Sequence, residues 1–262
     1  MNRIFYYYQS EENISKLVDF KNKNNINNIS VYFSSLHFGN DSKNKPYIHM
    51  NDDTPDNQPY IKQQMELLTS NGIEVLVMLG GAGGAYSNLF KNFSDYYKLL
   101  IEFIKKYKCI KGIDLDVEEY TKLSDLNKLI NCIKKDLGKN FIISMAPVAD
   151  ALMYNSPGLG GFSYKKLIQS DTGKLVDWFN VQAYGNYSYD TFKSIITNGY
   201  LANKITFGML GDEYTNNTFP KNTVIDIYKN YPNLKGFILW EYSDSKIEPL
   251  FWGKQISNII NI

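Results

Sequence analysis

The chain has only two cysteines and two histidines in 262 residues. Cys109 and Cys132 are too few to make a disulfide framework for a chain this long and read as reduced thiols. His37 and His49 are too few for a histidine-rich metal site, and no His/Cys pair has ligand spacing. Asp52, Asp53 and Asp56 lack the surrounding pattern of a calcium loop and read as a solvated turn. No metal and no cofactor are therefore expected. A Ser-His-Asp triad would have to draw on one of the two histidines, and no G-x-S-x-G elbow is present. An excess of one charge is also missing: 28 basic against 27 acidic residues give a net charge of +1. Without a basic stripe to meet phosphates, nucleic acid is excluded as a partner. The apolar runs are strand-sized, far below the roughly 20 residues of a membrane span, so no membrane partner is expected. The opening, Met1 to Gln9, has too short an apolar run for a signal peptide and no small-residue cleavage pattern after it. The expected location is cytoplasmic, or outside by a non-classical route.

Hydrophobic residues make up 44% of the chain and aromatics 15%, enough to build a large core. Short apolar, β-branched or aromatic runs recur at Arg3–Tyr8, Ile29–His37, Glu74–Leu79, Ile110–Glu118, Phe141–Met145, Asp177–Gln182, Ile205–Met209 and Gly236–Trp240. Between them, helical spacing predicts helices over Tyr60–Ser70, Ser94–Lys106, Ser124–Leu137, Tyr164–Gln169, Tyr189–Asn198 and Thr223–Asn230. Strand and helix in alternation imply a parallel sheet, and about eight units in this length favour a single α/β domain over residues 1–262, closed as a (β/α)₈ TIM barrel. A monomer is the simplest expectation. Lys21–Asn28 reads as a solvated helix end and loop. Gly39–Pro59, Asp150–Phe162 and Gly211–Asn222 read as loops on the rim where such barrels carry their chemistry.

One strand is unlike the others. In Gly112-Ile113-Asp114-Leu115-Asp116-Val117-Glu118, acids alternate with aliphatics, so an extended backbone puts all the acids on one face. Ile113, Leu115 and Val117, preceded by Ile110 on a lysine-interrupted lead-in, form the opposite, oily face. Successive acids lie roughly 6.5–7 Å apart, and repulsion in a poorly solvated site would raise at least one pKa. A raised carboxyl pKa suits a general acid. The glycine run Gly80-Gly81-Ala82-Gly83-Gly84 lacks the ending and spacing of a phosphate-binding loop.

These residues resemble the D-G-x-D-x-D-x-E signature of the family 18 glycoside hydrolases. The resemblance extends along most of the chain. Val75 to Gly81 is similar to the family's S-x-G-G strand, and Ala82 to Tyr86 looks most like the plant class III, hevamine-like branch. Ser144-Met145-Ala146-Pro147, Asn180-Val181-Gln182-Ala183-Tyr184, Phe207-Gly208-Met209 and Gly236 to Trp240 resemble the later strand motifs, in order.

The resemblance implies roles residue by residue. Glu118 matches the general acid, Asp116 the residue that orients the substrate's own acetamido group as nucleophile, and Asp114 the acid that shares a proton with Asp116. Tyr184 matches the phenol that hydrogen-bonds the acetamido carbonyl, Gln182 a polar neighbour of that group, and Trp240 the aromatic floor beneath the sugar. Gly80, Gly81 and Met145 are implied as further substrate-binding positions. The implied partner is an N-acetylglucosamine-containing oligo- or polysaccharide. The implied reaction is endo-hydrolysis of β-1,4-linked polymers such as chitin, with retention. An endo-β-N-acetylglucosaminidase acting on N-glycans or peptidoglycan-type chains stands beside it, as does a non-hydrolytic carbohydrate-binding barrel. Glu118 argues against the last, because lectin-like relatives typically lose its counterpart. Two positions depart from the pattern: Lys111 stands for the first aspartate of the signature, and Met78 for the serine of S-x-G-G.

Overall fold

The computed structural model describes residues 3–9, 13–51 and 53–261, so Met1, Asn2 and Asp52 of the readings above lie outside the described residues. Nine strands are present among them: β1 (Arg3–Tyr8), β2 (Ile29–Asn40), β3 (Pro46–Met50), β4 (Glu74–Gly80), β5 (Ile110–Asp116), β6 (Ile142–Met145), β7 (Trp178–Gln182), β8 (Ile205–Leu210) and β9 (Gly236–Trp240). All but β3 pair in parallel, and β1 meets both β2 and β9, so the sheet closes into an eight-stranded barrel with helices around it. This is a single (β/α)₈ barrel.

Period-two alternation sorts the side chains of each strand. Phe5, Tyr7, Tyr32, Leu76, Met78, Trp178 and Ile238 form a small apolar cluster inside the barrel. The alternate residues, among them Ile4, Tyr6, Val75, Val77, Ile113, Leu115, Val181 and Leu239, join the large cluster between sheet and helices. Strict alternation would put Ile110 on the acidic face. The register between β4 and β5 slips there, pairing Val75 with Ile110 and Val77 with Ile113, so both isoleucines face outward. Lys111, in the slip, is exposed.

Three loop expectations change. Gly39–Pro59 is largely a hairpin: β2 runs on to Asn40 and β3 returns antiparallel, with His37 opposite His49 and Phe38 opposite Ile48. Its alternation escaped a reading weighted towards the Asn, Asp and Pro around it. Asp150–Phe162 overlaps a short helix at Ala149–Met153, and Gly211–Asn222 begins with a 3₁₀ turn at Gly211–Glu213. Helices also occur where none was expected, at Ala85–Lys91 and Pro249–Ile260, while Lys21–Asn28 begins as the last turn of Ser15–Asn24, capped by Asn25 in the left-handed region at φ 54°. No helix among the described residues is long and apolar enough to cross a membrane.

Candidate active site

The C-terminal ends of the strands open onto a cleft of about 820 Å³ whose lining includes Asp116, Glu118, Gln182, Tyr184 and Trp240. Asp114 lies deeper on the same face of β5, fully buried. Its carboxylate accepts hydrogen bonds from Tyr7 Oη at 2.6 Å, Ser144 Oγ at 2.6 Å and Asn180 Nδ2 at 2.9 Å. Burial outweighs these bonds and pushes the Asp114 carboxyl up from 3.8 to about 6. Asp116 is raised well above the ordinary carboxylate range, first by burial and then by the charges of Glu118 and Asp114. Of the two causes anticipated from the sequence, poor solvation is the larger and repulsion the smaller.

Glu118 lies two residues past Asp116, the last residue of β5, and is half-buried at the cleft. Gln182 Nε2 links it to Asp116: the amide is 3.2 Å from Asp116 Oδ1, 3.2 Å from Glu118 Oε1 and 3.0 Å from the Ala146 carbonyl. An amide carries two N–H bonds, so these three acceptors share two protons. Burial and the neighbouring Asp116 charge raise the Tyr184 pKa, which keeps its phenol a proton-bearing donor. Trp240 is half-buried and packs against Tyr7 with ring centroids 5.0 Å apart, so a fixed indole forms part of the cleft wall.

Gly80 and Gly81 are set by steric need. Both lie in the left-handed region, at φ +96° and +80°, and a Cβ on Gly80 would stand 2.4 Å from the Asp116 carbonyl oxygen. Gly81 N–H donates to that same carbonyl at 2.9 Å, fixing the glycine turn against the acidic strand. Both glycines line the cleft. Met145 does not. It is fully buried in the large outer cluster, because its register partner on β5 is the outward-facing Leu115, whereas Ser144 pairs with Asp114 and faces in. The substrate-binding expectation for Met145 is therefore corrected by parity.

The two departures from the signature have different consequences. Lys111 is exposed at the start of β5, whereas Asp114 and Asp116 are buried. Met78, register partner of Asp114, packs in the inner cluster and reaches the cleft. No hydroxyl stands at that position, yet Asp114 already accepts its three bonds from other strands.

Sequence reasoning gave no role to Tyr7, Ser144 or Asn180, which hold Asp114. Asn180 Oδ1 in turn accepts from Trp178 Nε1 at 3.1 Å and Thr206 Oγ1 at 2.6 Å, and Tyr32 Oη lies 2.8 Å from Ser144 Oγ. Parity could have found Asn180, which shares a face with Gln182 and Tyr184. His37 and His49 also line the cleft, and Asp53 and Asp56 are engaged elsewhere, Asp56 with Lys106 at 2.6 Å. Among the described residues no group of three His, Cys, Asp or Glu side chains is placed to hold a metal.

A closed parallel barrel with stacked acids and an aromatic wall at its C-terminal rim has the architecture of a glycosidase. The model of the glycosyl hydrolases family 18 matches residues 3–243, and the chain belongs to this family of glycoside hydrolases. A fungal endo-β-N-acetylglucosaminidase of the family is 26% identical with a TM-score of 0.85, covering 99% of this chain and 98% of that one. The chitinase ChiC from Aspergillus fumigatus is 28% identical with a TM-score of 0.83, covering 98% of this chain and 99% of that one. A chitinase from Pseudoalteromonas aurantia, 20% identical over 98% of this chain and 100% of its own, has a TM-score of 0.65 and shares the fold. No curated protein matches the chain.

Proposed function

We propose that the protein is an endo-acting hydrolase of β-1,4-linked N-acetylglucosamine chains that works with retention through the substrate's own acetamido group. One observation carries this reading: Asp114, Asp116 and Glu118 rise from barrel floor to cleft along one strand face, with Gln182 bridging the upper two. Glu118 donates its proton to the glycosidic oxygen as that bond breaks. The acetamido carbonyl oxygen attacks the anomeric carbon, forming a cyclic oxazolinium ion. Asp116, its proton held by burial and by the charges around it, orients the acetamido N–H, and Asp114 below it exchanges that proton. The Tyr184 phenol donates to the carbonyl oxygen and positions it for attack. Water, deprotonated by the carboxylate that Glu118 has become, then opens the ring from the face that the leaving group vacated. Two inversions give net retention.

The similarity to a fungal endo-β-N-acetylglucosaminidase supports a second reading, cleavage within the N-acetylglucosamine pair of an N-glycan. Chitin oligomers and N-glycans are both uncharged around the scissile bond. Among the described residues, the cleft lining carries Asp116 and Glu118 and no lysine or arginine, which disfavours the acidic chains of a peptidoglycan-type substrate. Glu118→Gln tests the hydrolytic reading. General acid catalysis contributes about 10²–10⁴-fold, so turnover of an N-acetylglucosamine oligomer should fall by at least about 10²-fold while the oligomer still binds. Unchanged turnover would remove Glu118 from the mechanism, and a wild-type protein that binds without cleaving would favour the carbohydrate-binding barrel.

A further inference from the structure

The mechanism uses the side of the cleft built from β5, β7 and β9. Another side is built from the β2–β3 hairpin, whose β3 arm lies outside the eightfold repeat, and which brings His37, His49 and Asn51 to the cleft beside Ser35 and Gln9. We propose that this side is a second, specificity-determining subsite, in which His49 Nε2 accepts a hydroxyl hydrogen from the neutral sugar unit adjoining the one that reacts. The proposal rests on the reading that the cleft binds an N-acetylglucosamine chain.

The hydrogen-bond pattern defines the acceptor. His49 Nδ1 lies 2.5 Å from the backbone carbonyl of Asn51. A carbonyl only accepts, so Nδ1 carries the hydrogen, and in the neutral imidazole Nε2 is left as a lone-pair acceptor. The ring is held from several directions. It meets His37 edge-on, with centroids 5.5 Å apart at 73°, and lies 5.9 Å from the Tyr47 ring. Asn51, at φ 50°, accepts from Ser35 N–H at 3.0 Å and donates to the Gln9 carbonyl at 2.5 Å, tying the end of β3 to the middle of β2 and to the end of β1. An acceptor fixed in this way loses little conformational freedom when it binds.

The same kind of pattern keeps His37 uncharged. Ser35 Oγ donates its hydrogen to the Gly80 carbonyl at 2.5 Å, so at 3.4 Å it can only accept from His37 Nε2. His37 Nδ1 is then a buried acceptor with no partner, and a second proton there would be buried unpartnered. Burial and the adjacent His49 lower the His37 pKa, against a smaller opposing pull from Glu119. His37 thus adds no cation beside the His49 acceptor. That suits a sugar hydroxyl and repels a carboxylate.

His49→Phe keeps the ring and its edge contact with His37 but removes the acceptor. In the non-hydrolysing Glu118→Gln form, the Kd of an N-acetylglucosamine tetramer should rise about 5-fold on adding His49→Phe, as one net hydrogen bond implies, while the Kd of the monosaccharide stays within about twofold. In the hydrolytic protein the same substitution should raise KM for the tetramer and lower kcat by less than about twofold. Equal tetramer affinity with and without His49→Phe would overturn the proposal, as would an acidic, lactyl-bearing oligomer that binds as tightly as the neutral one. If His49→Phe lowers the melting temperature markedly, His49→Gln, which can still present an acceptor oxygen, should restore tetramer affinity. Failure of that rescue in a folded protein would also overturn it. Because binding is read in the absence of turnover, a protein that proves not to hydrolyse would refute the hydrolytic reading and leave this comparison decisive.

Discussion

Replacing Asp114 with Asn removes one buried charge and keeps the side chain's shape, which makes its effect on stability calculable. Burial moves the Asp114 carboxyl from 3.8 to about 6, a rise of about 2 units. At about 1.4 kcal/mol per unit, ionising Asp114 in the folded protein costs about 3 kcal/mol more than in the unfolded chain. The folded pKa lies above the unfolded one, so the folded state binds this proton more tightly. Its contribution is fully present below about pH 4 and is lost as the pH rises through about 6. Measured by urea denaturation, wild type should therefore lose about 3 kcal/mol relative to Asp114→Asn between about pH 4 and pH 7, with most of the loss complete near pH 6. The altered bonds to Tyr7, Ser144 and Asn180 add an offset that does not depend on pH, while loss of the Asp114 charge also relaxes Asp116 in the variant and deepens the difference in the same direction. Stability curves for the two proteins that run parallel across this window would refute the assignment of a buried, proton-retaining Asp114.

Gly80→Ala should destabilise the fold by at least about 2 kcal/mol, because the new Cβ would meet the Asp116 carbonyl oxygen at 2.4 Å in a backbone conformation that favours glycine. Calorimetry should show a melting temperature lower by at least about 4 °C, and an unchanged transition would contradict the turn geometry. Lys111→Ala should alter stability by no more than about 0.5 kcal/mol and leave the pH–rate profile in place, since the side chain is exposed at the start of the strand while Asp114 and Asp116 are buried. A shifted acidic limb in that profile would show that Lys111 tunes the site after all.

The parts of this molecule that follow a short period were legible in the sequence. Alternation along Gly112–Glu118 separated the acids from Ile113, Leu115 and Val117, and the structure keeps that division. The eight barrel strands were likewise visible as apolar runs. What stayed hidden depends on register between distant segments. Asn180 becomes the centre of a polar floor only when β7 is aligned with β6 and β8, bringing Ser144 and Thr206 within reach. His37 and His49 become a pair only when β3 folds back on β2, and one short run among Asn, Asp and Pro residues did not announce that turn. Met145 shows the reverse error. A motif carried over by resemblance was assigned to the site as a block, when alternation admits only every second residue of a strand to the barrel interior. The slip at Lys111 could not be read either, because a one-residue change of register leaves no mark on composition.

The central claim is that the substrate's acetamido group is the nucleophile, and the most direct measurement compares an N-acetylglucosamine oligomer with its glucose counterpart of equal length while proton NMR follows the newly formed reducing end. The account predicts cleavage of the acetylated chain alone, with the β-anomer as the first product before mutarotation. Comparable hydrolysis of both chains, or the α-anomer appearing first, would contradict it.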